Sequence, residues 1–234
     1  MVKRQFERTT YGSLYAAMIG AILNVVEGYY ESGQLLSALV DVQDERGALE
    51  ALRSGNEVRV RAYAPWLKGV EEEATIGSSR VIVSGVSQAE IGHGGKSLQS
   101  LYLEAPQKTI YYDRDLLKGL ASETSQSLVE FMIIYTDYGS AVIIEGERLR
   151  VSVPEVRSIA VLHTHPEPHC VLSRKDVESG LELMMVRGLF MGAVTVSCAN
   201  VMLRVGLLEE EDLLKIKSGE LGSLKSVRFS SLLY

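Results

Sequence analysis

The stretch Val161-Leu162-His163-Thr164-His165-Pro166-Glu167-Pro168-His169-Cys170-Val171-Leu172-Ser173-Arg174-Lys175-Asp176 joins a strand to a helix through a proline-punctuated loop. The apolar β-type run Ile159–Leu162 delivers His163 and His165 at positions i and i+2. On a strand those side chains share one face, with Cα atoms roughly 7 Å apart. Both imidazoles can then converge on one metal, at about 2.0–2.1 Å per Zn–N bond. Pro166 and Pro168 stop the strand and force a loop. Ser173 opens the next helix as its N-cap, with Asp176 at the third helical position near the positive end of the dipole.

Asp176 lies ten residues beyond Pro166, so a returning chain can bring its carboxylate to the same metal. Two histidines and one aspartate leave a fourth position for water, the arrangement of a catalytic rather than a structural zinc. Each part alone is ordinary: Ser-x-x-Asp begins many helices, and most His-x-His pairs on strands bind nothing. The joint pattern, His-x-His-Pro, six residues, Ser-x-x-Asp, fixes five residue types at set spacing. The chain has four histidines, and three of them fall within seven residues here. His169 reads as an exposed loop side chain, and so does the isolated His93. Cys170 and Cys198 are too few for an all-cysteine zinc site and read as free thiols, although a strand at 193–198 packed beside the loop would let them meet.

Outward from this stretch the pattern is mixed. Residues 113–129 read as a helix with Asp113 as N-cap. Residues 131–136, 141–144, 148–153 and 159–163 read as strands, 173–186 as a helix, 193–197 and 201–205 as strands, and 209–217 as a helix. Upstream, 11–31 and 34–53 read as a helical hairpin. Strands are expected at 58–62, where Val58, Val60 and Ala62 alternate with polar neighbours, and at 80–84 and 101–103. Residues 87–97 read as a loop. The expected fold class is α+β, with an N-terminal helical hairpin plus strands over 1–110 and a second domain over 111–234.

Composition narrows the function classes. With 24 Lys+Arg against 30 Asp+Glu among 234 residues, the formal charge is −6. A general nucleic-acid binder needs clustered cations instead. Thr9–Val26 is an 18-residue uncharged run, at the lower edge of a bilayer span. It is diluted by Thr9, Thr10, Gly12, Ser13, Gly20 and Asn24, and Leu14, Met18, Ile22 and Val25 follow helical spacing. A packed helix and a cytoplasmic protein are therefore expected, with membrane attachment the lesser reading. Gly92-His93-Gly94-Gly95-Lys96-Ser97 imitates a phosphate loop, but Glu90 stands where that motif needs its first glycine.

His163-Thr164-His165-Pro166 followed by Ser173 and Asp176 resembles the signature of the JAMM (MPN+) zinc metalloproteases. The resemblance covers about residues 111–210. It implies a JAMM-like (cytidine-deaminase-like) mixed sheet flanked by helices, with an N-terminal α/β extension. It also implies Zn2+ as cofactor, His163, His165 and Asp176 as ligands, and Ser173 as oxyanion stabiliser. The family uses a glutamate as general base at the start of a core strand, a place that Glu130 fits best; Glu145, Glu147 and Glu155 are the alternatives. The implied activity is peptidase or isopeptidase cleavage after the C-terminal tail of a ubiquitin-like or sulfur-carrier protein, in a compact prokaryote-type member. The alternative is a non-catalytic MPN-like scaffold or interaction protein. Residues 1–110 resemble nothing recognisable; recruiting substrate, self-association as a homodimer, covering the site and membrane attachment all stay open for them.

Overall fold

Two mixed sheets with helices packed between and around them give the chain an α+β architecture. The computed structural model describes residues 4–30, 35–92, 94–148, 157–168, 170–220 and 223–233. In chain order come β1 (Arg4–Arg8), α1 (Tyr11–Gly28), a 3-10 turn at Leu35–Ser37, β2 (Leu39–Asp41) and α2 (Glu45–Arg53). Next are β3 (Glu57–Tyr63), a second 3-10 turn at Pro65–Leu67, β4 (Glu71–Ile76), β5 (Ser79–Gly85), the single turn α3 (Gln88–Ile91), β6 (Lys96–Ser97) and α4 (Leu98–Tyr112). The remainder is α5 (Arg114–Ser127), β7 (Val129–Thr136), β8 (Ala141–Arg148) and β9 (Ser158–Thr164). It ends with α6 (Arg174–Met185), β10 (Phe190–Val194), β11 (Cys198–Arg204), α7 (Glu210–Ser218) and β12 (Val227–Leu233).

The larger sheet has the order β1-β8-β7-β9-β10-β11-β12, and the smaller one β4-β5-β3-β2-β6. Strands β9 and β10 are parallel, so the chain between them must cross over, and α6 is that crossover. The first strand of the chain pairs with β8, at the edge of the larger sheet. Its exposed Glu7 and Arg8 are the kind of charged residues that keep an edge strand from pairing further.

The uncharged N-terminal run forms α1. Leu14, Tyr15, Met18, Ile19, Ile22, Leu23 and Val26 on it are all buried. The helix packs against β7 and β9 of one sheet and β4 and β5 of the other. A helix apolar on every face belongs in a core. Gly20 lets the helix lie close against β9, since a Cβ there would come within 2.9 Å of Ile159. No helix among the described residues is long and apolar enough to cross a membrane.

Several local expectations are corrected. Residues 34–53 are not one helix: Leu39–Asp41 is a strand, and Asp44 starts a new helix by accepting the Gly47 N–H at 2.9 Å. Residues 101–103 lie inside α4, which Ser97 caps through the Ser100 N–H. Asp113 does occupy the position before α5, but its carboxylate serves a different helix. It accepts from the Thr10 hydroxyl at 2.7 Å and the Gly12 N–H at 3.0 Å, capping α1 from a hundred residues away. In the glycine loop, Lys96 binds Glu104 at 2.6 Å rather than standing clear for phosphate. Of the expected strand at 148–153, Arg148 ends β8 and the rest lies outside the described residues.

Candidate metal centre

His163 is the next-to-last residue of β9, on the same face as Val161, and His165 follows just past the strand's end. The His165 N–H donates to the Val194 carbonyl at 2.8 Å, carrying the β9–β10 pairing one step beyond the strand. The chain then crosses over, and a crossover helix begins beside the carboxyl ends of the parallel strands. This topology returns Asp176 to the histidines. The N-terminus of α6 is closed by a capping box: Ser173 N–H donates to Asp176 Oδ2 at 2.7 Å, and Asp176 N–H donates to Ser173 Oγ at 3.2 Å.

One ligand atom from each of His163, His165 and Asp176 lies within 4.8 Å of the other two. The two Nε2 atoms are 3.0 Å apart, and His163 Nε2 lies 3.6 Å from Asp176 Oδ2. Ligands about 2.1 Å from one tetrahedral ion sit about 3.4 Å apart, so the spacing suits a single ion of zinc's size. The donor set, two imidazoles and a carboxylate, is also one that zinc accepts. His163 is buried, and its other ring nitrogen, Nδ1, has no hydrogen-bond partner among the described residues. Burial raises the Asp176 carboxyl. The hydrogen bond and charge of His163, with the hydroxyl and N–H of Ser173, outweigh that and hold it well below the usual carboxylate range.

Glu130 lies half-buried at a bulge in β7, where the pairing with β8 shifts register between Val129 and Phe131. Burial raises its carboxyl; nearby His163 pulls it down and nearby Asp176 pushes it up again. Of the alternative glutamates, Glu145 pairs with Phe131, and Phe131 alternates with Met132, the partner of His163. Cross-strand partners share a face, so Glu145 lies on the face opposite His163. Glu147 is in β8, with its side chain outside the described set, and Glu155, His169 and His93 also lie outside the described residues. The three ligand candidates and Ser173 thus come together, with Glu130 close enough to feel their charges. No protein-family profile, curated protein or solved structure matches this chain.

The cysteines, expected as free thiols, form a disulfide. Because β10 lies beside β9, the turn from β10 to β11 lies beside the ligand loop and brings the two Cα atoms to 6.2 Å. The same turn holds Glu167, whose Oε1 accepts from Ser197 N–H and Oγ–H, both at 3.0 Å. Nothing in the spacing of the sequence marks Glu167, Ser197 or Ser125, which accepts the Glu167 N–H at 3.3 Å. The 28-residue separation of the cysteines sets the expected stabilisation at about 3–4 kcal/mol by chain entropy. Cys170→Ser should lower the urea-unfolding free energy by that amount, and reductant should do the same to the parent. A midpoint indifferent to reductant would contradict the pairing.

Two open clefts, of about 350 and 650 Å3, share Asn24, Asp137 and Ile159 and lie at the other end of β9. Chemistry rather than concavity singles out the His163 site.

Proposed function

We propose that this protein is a zinc-dependent peptidase or isopeptidase of the JAMM type, cleaving after the C-terminal tail of a ubiquitin-like or sulfur-carrier protein. The observation that carries the reading is the convergence of His163, His165 and Asp176 within 4.8 Å. The crossover from β9 through α6 to β10, with α1 behind the sheet, supports a JAMM-type arrangement of the larger sheet. A zinc ion held there would polarise a carbonyl and acidify water at near-neutral pH.

The chain's own residues supply the rest. Glu130, with its carboxyl raised by burial, takes the proton from the attacking water and delivers it to the leaving amine. The oxygen of the Ser173 hydroxyl accepts from Asp176 N–H, and its proton, which rests on the Asp176 carboxylate, turns to the oxyanion when substrate binds. Capping and oxyanion stabilisation therefore use different parts of one hydroxyl. Asp176 supplies the anionic ligand beside the two imidazoles.

Metal analysis tests the reading directly. The purified parent should bind about one zinc per chain, and His163→Ala should lose it. Equal zinc in the two proteins would sink the proposal. Zinc-loaded parent should also release a fluorogenic amine amide-linked to the C-terminal glycine of a ubiquitin-like or sulfur-carrier protein. Failure on both carrier classes would remove the substrate half.

A further inference from the structure

Thr164, the residue between the two candidate histidine ligands, points to the opposite face of β9 and is fully buried. Its Oγ1 lies 2.6 Å from the Oγ1 of Thr124, also fully buried, in the last turn of α5. The same Oγ1 accepts the Phe131 N–H at 2.8 Å. Backbone pairing between β7 and β9 starts one residue further on, at Met132 and His163. A side-chain hydroxyl thus takes the place of a strand carbonyl, next to the bulge at Glu130.

Thr124 is fixed on its other side too. Its carbonyl accepts the Leu128 N–H at 2.8 Å, closing α5 with Leu128 in the left-handed region at φ 57°. The six residues between Thr124 and Phe131 are therefore pinned at both ends, by the helix cap and by Thr164. Valine has nearly the shape of threonine and would suit an apolar interior without needing partners. Two buried hydroxyls bonded to each other and to one strand amide instead specify where that strand runs.

We infer that Thr164, braced by Thr124, is a positioning residue that sets the β7 bulge and so holds Glu130 toward the His163–His165–Asp176 cluster. The inference rests on the proposal that Glu130 is the general base. A base must sit within about 2.6–3.2 Å of the proton it takes, and a displacement of about 1 Å can cost roughly a hundredfold in rate. The hydroxyl sits on the far face from the metal ligands, so its loss moves the base and leaves the ligands in place.

The test compares Thr164→Val, Thr164→Ser and Glu130→Gln in the zinc-loaded full chain. The probe is an aminocoumarin amide of a ubiquitin-like protein. Thr164→Val should lower kcat by about 10–100-fold, with KM and zinc stoichiometry unchanged. Hydrogen exchange at the Phe131 amide should accelerate at least about tenfold, because its acceptor is gone. Thr164→Ser keeps the hydroxyl and should restore both readouts. If Thr164→Val does not fold, Thr124→Ala should give the same split in weaker form. Parent-like turnover and Phe131 exchange in Thr164→Val, with Glu130→Gln inactive, would overturn the positioning role alone. Full activity in Glu130→Gln would overturn the base assignment and the inference with it, as would a parent that does not hydrolyse the probe.

Discussion

Glu130→Gln is expected to lower kcat by about 10²–10⁴-fold, the usual contribution of a positioned general base, while zinc content stays at the parent value. The amide is nearly isosteric with the carboxylate, so the β7 bulge and the packing around it should persist. What disappears is a group able to take a proton from water and return it to a departing amine. The carboxyl is suited to that work because burial raises it and the flanking charges of His163 and Asp176 act on it in opposite directions. Turnover of a carrier-protein amide, measured beside metal content, separates the outcomes. Loss of zinc would mean that Glu130 is a ligand or a support for one. Unchanged turnover with unchanged zinc would show that the base lies elsewhere. Glu145 lies on the face opposite His163, so Glu147 and Glu155 would be the residues to replace next.

The second large effect is on stability and lies far from the site. Arg204 and Glu27 are both buried, and Arg204 Nη1 donates to Glu27 Oε1 at 2.9 Å and to Oε2 at 3.1 Å. The Tyr102 hydroxyl donates to the same carboxylate, and the guanidinium stands 5.1 Å from the Tyr102 ring centroid. Arg204 Nε also donates to the Gly188 carbonyl at 3.2 Å. The network links α1, α4 and β11, binding the interior helices to the larger sheet. Burial pushes the Glu27 carboxyl up, and the charge and hydrogen bonds of Arg204 act against that.

Arg204→Met should therefore cost about 3–5 kcal/mol in urea unfolding, because it leaves an acidic group buried without its counter-charge. The double variant with Glu27→Leu should cost less than Arg204→Met alone. Removing both charges also removes the desolvation each had to overcome, although the Tyr102 hydroxyl and the Gly188 carbonyl lose partners. A double variant worse than the single would mean that the ion pair contributes net stability beyond satisfying its own charges. In either case the zinc site should remain intact, since none of these residues touches it.

Local chemistry made much of the site readable. Strand alternation places His163 and His165 on one side, and helix-capping chemistry places Asp176 three residues after Ser173. Both operate over a few residues, so spacing alone carries them. The apolar run of α1 was readable as a packed helix for the same reason. The expected helix over 34–53 failed because Leu35, Leu36, Leu39 and Val40 fit a helical period by accident, while Asp44 restarts the chain as a new helix. Asp113 looked like a cap for α5, and only the packing of α1 against it shows that the carboxylate serves Thr10 and Gly12.

By itself, the sequence determined an α+β chain with a buried N-terminal helix and a strand–loop–helix unit able to present two imidazoles and a carboxylate together. Tertiary structure alone decided that β1 borders β8, that Cys170 meets Cys198, and that Glu145 is turned away from His163. It also decided that Glu130 sits at a bulge gripped through Thr164. The physical reason is range. Alternation and capping act within one turn or one pleat, where residue spacing fixes geometry. The Thr124–Thr164 and Phe131–Thr164 bonds join residues 40 and 33 positions apart. Such bonds exist only once sheet register is set by the packing of both sheets around α1.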